Sequence, residues 1–166
     1  MAALVAVISD SHVGQRISAY PGDLLNELEK ADLVIHAGDH STIKSVETLR
    51  ERVNLKAVHG NMDEIAVTSA LPAKLIFEIE GLTIGVAHGW GPPVGLAKKV
   101  RGLFEEEPPD IIIFGHSHRP TDKVVDSVRM LNPGSLSGNL GSSGGSWAKL
   151  TLEGGDAEWE EISIDI

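Results

Sequence analysis

Five short apolar runs in this chain each end on side chains that bind cations or move protons, and few folds can satisfy that arrangement. Val5-Ala6-Val7-Ile8 runs into Ser9-Asp10-Ser11-His12, Leu33-Val34-Ile35 into His36-Ala37-Gly38-Asp39-His40, and Ala57-Val58 into His59-Gly60-Asn61-Met62-Asp63. Further along, Ile84-Gly85-Val86-Ala87 runs into His88-Gly89-Trp90, and Ile111-Ile112-Ile113-Phe114 into Gly115-His116-Ser117-His118. The end of a buried strand is a poor place for imidazoles and carboxylates unless each finds a partner. Open α/β sheets resolve the conflict by binding ligands just outside the carboxyl ends of their strands.

Strand and helix alternate in the first part of the chain. Residues 4–8 and 33–36 read as strands, and Leu24, Leu25 and Leu28 form the apolar stripe of a helix over 23–30 between them. Ser41 or Thr42 is placed to cap a second helix running to about Glu51 through Ile43, Val46 and Leu49, and a third strand follows at 55–59. That alternation predicts a mostly parallel sheet with right-handed crossovers. The middle differs, because 73–79 and 82–87 read as an antiparallel hairpin turning at Glu80-Gly81. Pro92 or Pro93 is placed near the start of a helix ending about Leu103, and Glu105-Glu106-Glu107-Pro108-Pro109 is a solvated connection to a strand at 110–114. Short strands are expected over 123–130, 147–152 and 157–164, with the glycine- and serine-dense run 132–145 as a loop. No linker or fixed-period repeat divides the 166 residues, so a single domain over 1–166 is expected.

Composition narrows the function. With 24 acidic against 14 basic residues the formal net charge is −10, unfavourable for a nucleic-acid partner whose phosphates need basic groups. No run is long and apolar enough to span a bilayer, and the Ala2-Ala3-Leu4-Val5 opening lacks a basic leader, so a cytoplasmic protein without membrane attachment is expected. The chain has no cysteine, which leaves only nitrogen and oxygen ligands for any metal.

The candidate ligands are Asp10, His12, Asp39, Asn61, His88, His116 and His118. Mixed carboxylates and imidazoles suit Mn, Fe, Co, Ni or Zn, whereas an all-oxygen shell points towards Mg or Ca. Seven ligands are too many for one tetrahedral ion and enough for two ions sharing a bridge. Two-metal phosphatase and nuclease sites hold their ions about 3.5–4 Å apart and clamp the attacking and leaving oxygens. In the Asp-x-His and His-x-His pairs, residues two apart on an extended backbone point to the same side, so each pair can close on one metal region.

Taken in order, Ser9-Asp10-Ser11-His12, Gly38-Asp39, Gly60-Asn61-x-Asp63, His88-Gly89 and Gly115-His116-Ser117-His118 resemble the calcineurin-like metallophosphoesterase family. With Asn132-Pro133-Gly134-Ser135 they are most similar to its small single-domain prokaryotic phosphodiesterase branch, over about residues 4–135. The resemblance implies an α/β metallophosphoesterase fold, a four-layer α/β/β/α sandwich with two central mixed sheets and the metals at one edge. It implies two divalent ions, one held by Asp10, His12 and His118 and the other by Asn61, His88 and His116, with Asp39 bridging. A water or hydroxide between the ions would then attack a small phosphodiester substrate. Mn is the ion expected to serve best in an assay, with Fe, Ni, Zn or Co as alternatives. Asn61, Asp63 and His88 are the candidate catalytic residues. Asn61 can ligate through its carbonyl while its NH₂ reaches a phosphate oxygen, and Asp63 can orient a ligating imidazole.

Two departures from the family pattern bear on substrate. Many members carry a histidine directly after the motif asparagine, proposed to protonate the leaving group; here Met62 has no proton to give. The family also often continues His-Gly-His, and this chain has His88-Gly89-Trp90, whose indole offers a stacking wall for a base or aryl group. Asn61, His40 and Trp90 are the candidate substrate contacts, with His40 at the rim, while His36 and His59 read as packed or supporting histidines. Asn132-Pro133-Gly134-Ser135 is an ordinary turn or, by the resemblance, a loop near the phosphate. Trp147 and Trp159 read as core or interface residues, and Lys98, Lys99 and Arg101 as a solvated helix face. The rival functions are a catalytically weak or inactive interaction scaffold, as in the retromer subunit resembling the same family, and a phosphomonoesterase or nuclease. A scaffold is expected to lose ligands, yet none of the seven is missing, and acidic charge disfavours a nuclease. A homo-oligomer is compatible with the sequence, which carries no interface signature.

Overall fold

A computed structural model describes residues 1–139 and 144–166. Its elements, in chain order, are β1 (Ala3–Ile8), α1 (Gly22–Glu29), β2 (Leu33–His36), α2 (Ile43–Arg52), β3 (Leu55–Ala57), α3 (Ile65–Ala70), β4 (Lys74–Ile79) and β5 (Leu82–Ala87). There follow α4 (Leu96–Gly102), β6 (Ile111–Ile113), β7 (Thr121–Val125), β8 (Val128–Asn132), β9 (Gly144–Glu153) and β10 (Asp156–Asp165). Two five-stranded mixed sheets carry the fold, in the orders β10-β9-β1-β2-β3 and β4-β5-β6-β8-β7. In the first, β1, β2 and β3 are parallel, β9 is antiparallel to β1 and β10 antiparallel to β9; in the second, β5, β6 and β8 are parallel, with β4 and β7 antiparallel at the edges.

The layering follows from side-chain alternation. On β1, Val5 and Val7 face the second sheet and join Ile35, Ile84, Val86, Ile111, Ile113 and Leu131 in the central core. Ala6 and Ile8 point the other way, onto Leu24 and Leu28 of α1 and Leu49 of α2. On the far side of the second sheet, Ile112 and Met130 pack against Leu96, Ala97 and Val100 of α4. Strands covered on both faces must be apolar throughout, which is why β1 and β6 show no polar alternation. The result is the expected helix–sheet–sheet–helix sandwich. Thr42 caps α2 by accepting from the Ser45 amide, and Glu80-Gly81 turns the β4–β5 hairpin in a left-handed conformation (φ 51° and 77°).

Several boundaries differ from the sequence reading. The stretch 123–130 is the inner part of a hairpin, β7 and β8, turning at Asp126-Ser127 with φ of 46° and 68°. Neither residue is glycine, so the usual turn signal is absent, although aspartate tolerates this region better than most residues. Helix α3 was not anticipated; Val67 is its one buried residue, too little for an apolar stripe. Helix α4 begins after Gly95, in a left-handed conformation, with Pro93 just ahead of it accepting from the Leu96 amide at 3.2 Å. Strand β3 stops at Ala57, while β9 and β10 are ten residues each, so the glycine-serine run is already strand by Gly144; residues 140–143 of that run lie outside the described residues. Among the described residues no helix is long and apolar enough to cross a membrane.

Candidate metal centre

The carboxyl ends of β1, β2, β5 and β6, with the loop after β3, meet at one edge of the paired sheets. Backbone hydrogen bonds splice the loops together: the Asp10 amide donates to Gly38 O at 2.9 Å, His12 to Asp39 O at 3.1 Å and Gly115 to His88 O at 3.1 Å. The two sheets are tied at the site itself by the His116 amide, which donates to Asp10 Oδ2 at 3.1 Å. Asp10, His12, Asp39, His116 and His118 all have positive φ, from 47° to 72°. The extended-backbone account of the two-apart pairs is therefore corrected. Each pair presents its side chains from left-handed turns, a conformation costing about 1–3 kcal/mol per non-glycine residue and concentrated at functional sites. Gly38 (φ 105°) allows the close approach, since a Cβ there would lie 2.6 Å from His88 Nδ1.

All seven expected ligands come together. His88 donates through Nδ1 to Ala37 O at 2.8 Å, leaving Nε2 at 3.1 Å from both Asp39 Oδ2 and Asn61 Oδ1. His116 donates through Nε2 to Gly91 O at 2.8 Å, which turns Nδ1 towards Asn61 Oδ1 at 3.2 Å. His118 Nδ1 is held by Asn139 Oδ1 at 3.2 Å, and its Nε2 faces Asp10 Oδ1, also at 3.2 Å. His12 Nε2 lies 3.8 Å from Asp39 Oδ2 and 4.0 Å from Asp10 Oδ1. Three imidazoles are thus anchored by the far nitrogen so that the near one aims its lone pair at oxygen lone pairs. Such a cluster is repulsive unless a proton or a cation lies within it.

Two further observations fit a cation. Asp10 Oδ1 and both ring nitrogens of His12 are buried with no hydrogen-bond partner, the orphaned state that metal ligands show when protein groups alone are counted. Asp10, His12 and His118 form one group able to hold an ion, and Asp10, Asp39 and His88 another. The electrostatics agree. Burial raises the Asp10 carboxyl, but the His118 imidazole and the charge on His88 overcome it and hold the group at about 2. Burial depresses His88, yet Asp10 and Asp39 push it up to about 9, so the carboxylates keep positive charge where a divalent ion would supply it.

The supporting groups explain why these loops hold their shape. The Asp63 carboxylate accepts from three amides, those of Gly60 at 2.7 Å, Ser41 at 2.7 Å and Asp39 at 3.1 Å, while Asp39 Oδ1 accepts from the Met62 amide at 2.9 Å. Asp63 therefore clamps backbone, where the sequence reading had it orient an imidazole. Asn132 donates to Gly115 O at 3.1 Å, and the Ser135 and Ser137 hydroxyls donate to Asp10 O at 2.9 and 3.0 Å. The Asn132–Ser135 stretch is fully or nearly buried and braces the Asp10 and Gly115 loops. His40 is a correction: it is wholly buried, not at the rim, and its Nε2 donates to Val58 O at 2.9 Å. It stacks on His36 at 3.6 Å between ring centroids, and His36 bonds the Ser11 hydroxyl at 2.8 Å. Burial holds His36 well below its usual value, so this pair packs as neutral rings under the site.

Around the mouth, Met62 and Trp90 are half exposed, and Trp90 lines a cleft with His59, Asn61 and His88. On the basic face of α4, Lys98 is solvated as expected, but Lys99 and Arg101 are not. Lys99 Nζ sits 5.2 Å from the Trp90 ring centroid and donates to Trp90 O at 3.0 Å, while Arg101 is buried. Sequence reasoning missed the Asn139, Gly91 and Ala37 acceptors; two are main-chain carbonyls that residue type does not flag, and the Asn139 side chain comes from 21 residues beyond His118. Ser135 and Ser137 had only their place beside the Asn-Pro-Gly motif as a signal.

The profile of the calcineurin-like phosphoesterase superfamily domain matches residues 4–155. A "Probable metallophosphoesterase" of Methanocaldococcus jannaschii is 38% identical over 133 residues, covering 80% of this chain and 67% of that one. A protein named a phosphodiesterase from the same organism is 27% identical over 82% of this chain and 86% of its own length. The solution structure of a Thermotoga maritima protein superposes with a TM-score of 0.78 at 39% identity, over 98% of this chain and 99% of that one. By its profile match, its relatives and its two mixed sheets, the chain belongs to the calcineurin-like phosphoesterase superfamily.

Proposed function

We propose that the chain is a single-domain, dinuclear metal-dependent phosphodiesterase acting on small phosphodiesters. The observation that carries this is the set of imidazoles anchored by one nitrogen and aimed with the other at carboxylate and amide oxygens. In this reading Asp10, His12 and His118 hold one cation, Asn61, His88 and His116 the second, and Asp39 lies between them. Two divalent ions, when bound, would supply charge for the phosphoryl oxygens and activate water as the nucleophile. The chain's own groups do the rest. Asn61 offers its carbonyl to the ion and its NH₂ to a phosphate oxygen. His88 holds its position through Ala37 O, and Asp63 fixes the backbone of the bridging aspartate. Met62 cannot protonate a leaving oxygen, which favours diesters whose leaving group departs as a weakly basic anion.

Manganese is the proposed assay metal, and the mixed nitrogen and oxygen ligand set keeps iron, nickel, zinc and cobalt in the screen. The net charge of −10 supports a small substrate over a nucleic-acid partner. Retention of all seven ligands supports catalysis over an interaction scaffold. The test is elemental analysis of freshly isolated protein, then reconstitution with each metal and comparison of aryl diester with aryl monoester hydrolysis. About two ions per chain and a preference for the diester are expected. One tightly bound ion would reject the dinuclear part, and metal-independent or absent turnover would reject the hydrolase.

A further inference from the structure

The cleft beside the candidate ligands has a composition that the hydrolysis of a phosphate does not require. It measures about 310 Å³, and besides Asn61 and His88 it is walled by Gly60, Ala73, Ala87, Gly89 and Leu103, with the rings of His59 and Trp90. Glycines and alanines leave low, flat walls, and the two rings add planar ones. A cleft that shares Asn61 and His88 with the centre receives whatever is attached to a phosphate bound there. The Trp90 loop is held in place at two successive carbonyls: Lys99 Nζ donates to Trp90 O at 3.0 Å, and His116 Nε2 to Gly91 O at 2.8 Å. Lys99 Nζ also sits 5.2 Å from the indole centroid, which restrains the ring by cation–π attraction. Among the described residues the half-buried His59 ring makes no hydrogen bond or ion pair, so its polar edge is free for a ligand.

We propose that this cleft receives a planar aromatic substituent of the diester, stacked against Trp90 and met at its polar edge by His59. The proposal deepens the phosphodiesterase reading and rests on it for the phosphate. An aromatic face gains offset or edge contacts with an indole that a saturated ring of similar size does not reproduce. An aryl oxygen also leaves without a proton donor, which matches Met62 beside Asn61. A nucleobase and a simple aryl group share this chemistry, and the experiment separates them.

Full-length protein freed of metal by chelation is titrated with adenosine, phenol and cyclohexanol while the indole N–H signals are followed by ¹⁵N NMR. Trp90 is expected to shift saturably with adenosine, phenol or both, with Trp147 and Trp159 unmoved, and the tighter of the two identifies the ring. Cyclohexanol is expected to bind about tenfold more weakly, in line with the stacking energies of aromatic side chains. Read from the backbone amide signals of Gly60 and Gly89, which line the same cleft, Trp90→Phe should keep the ring preference and Trp90→Ala should lose it. In metal-loaded enzyme Trp90→Ala should raise KM for a phenyl diester about tenfold more than for its methyl analogue. A Trp90 signal that ignores both rings, or responds equally to cyclohexanol, overturns the proposal. The chelated protein tests the cleft without catalysis, so ring binding in a protein that hydrolyses no diester would sink the activity alone, and the converse result would sink the cleft alone.

Discussion

Asp39 illustrates how much one residue carries here. Its Oδ2 stands 3.1 Å from His88 Nε2 while its Oδ1 takes the Met62 amide at 2.9 Å. Asp39→Asn keeps the shape and the amide acceptor but removes the charge, so diester turnover should fall by about 100-fold or more and metal content should drop, with the circular dichroism spectrum unchanged. Wild-type metal occupancy in that variant would argue against Asp39 as a ligand. Asp63 acts at one remove. Truncation by Asp63→Ala strips the acceptor from three amides, and the expected results are a loss of about 1–3 kcal/mol in denaturant unfolding and a metal affinity reduced about 10–100-fold. A variant with lowered stability but unaltered metal binding would show that the clamp does not reach the site.

At the scale of elements, the β7–β8 hairpin ties the second sheet to the first. Arg129 on β8 grips Asp122 on β7 through two hydrogen bonds of 2.9 Å and donates with its Nη1 to Ala157 O on β10 at 2.7 Å. The Arg129 guanidinium holds the Asp122 carboxyl below its ordinary 3.8. A carboxyl depressed in the folded state stabilises above its unfolded value, and that stabilisation disappears as pH falls through the lower folded one. Asp122→Asn should therefore cost less than about 1 kcal/mol at neutral pH, as exposed pairs do, with the gap from wild type closing below pH 3.8 in paired unfolding curves. A gap that widened in acid would contradict the assignment. This hairpin also shows where element reading fails, since Asp126-Ser127 carries none of the glycine that marks Gly81 or Gly154-Gly155.

For the whole molecule, the site lies where two sheets end together, so binding and folding are linked. An ion at about 100 times its dissociation constant should add about 2.7 kcal/mol of stability, read as a rise in melting temperature on adding manganese that Asp39→Asn does not share. Ile113, fully buried in the core between the sheets, should cost about 2–5 kcal/mol when cut to alanine. The same core holds the Asp10 loop of one sheet against the His116 loop of the other, so that variant should also bind metal less tightly. Unchanged metal affinity in a destabilised Ile113→Ala protein would show the loops to be self-supporting.

The sequence by itself determined the strand-end placement of the candidate ligands, the apolar strands that carry them and the helices over Leu24–Leu28 and Ile43–Leu49, because periodicity and residue chemistry are local properties; the division into two sheets was legible only through the family resemblance. That Asp10, His12, Asp39, Asn61, His88, His116 and His118 gather at one edge was legible for the same reason. Only the tertiary structure decided that His40 lies under the site and not at its rim, that Asp63 and Ser135 brace backbone, and that Lys99 restrains Trp90. It also replaced extended pairs by left-handed turns at Asp10, His12, His116 and His118. Burial, main-chain acceptors and backbone sign all depend on what distant segments bring alongside, and no residue's type encodes its neighbour across a sheet.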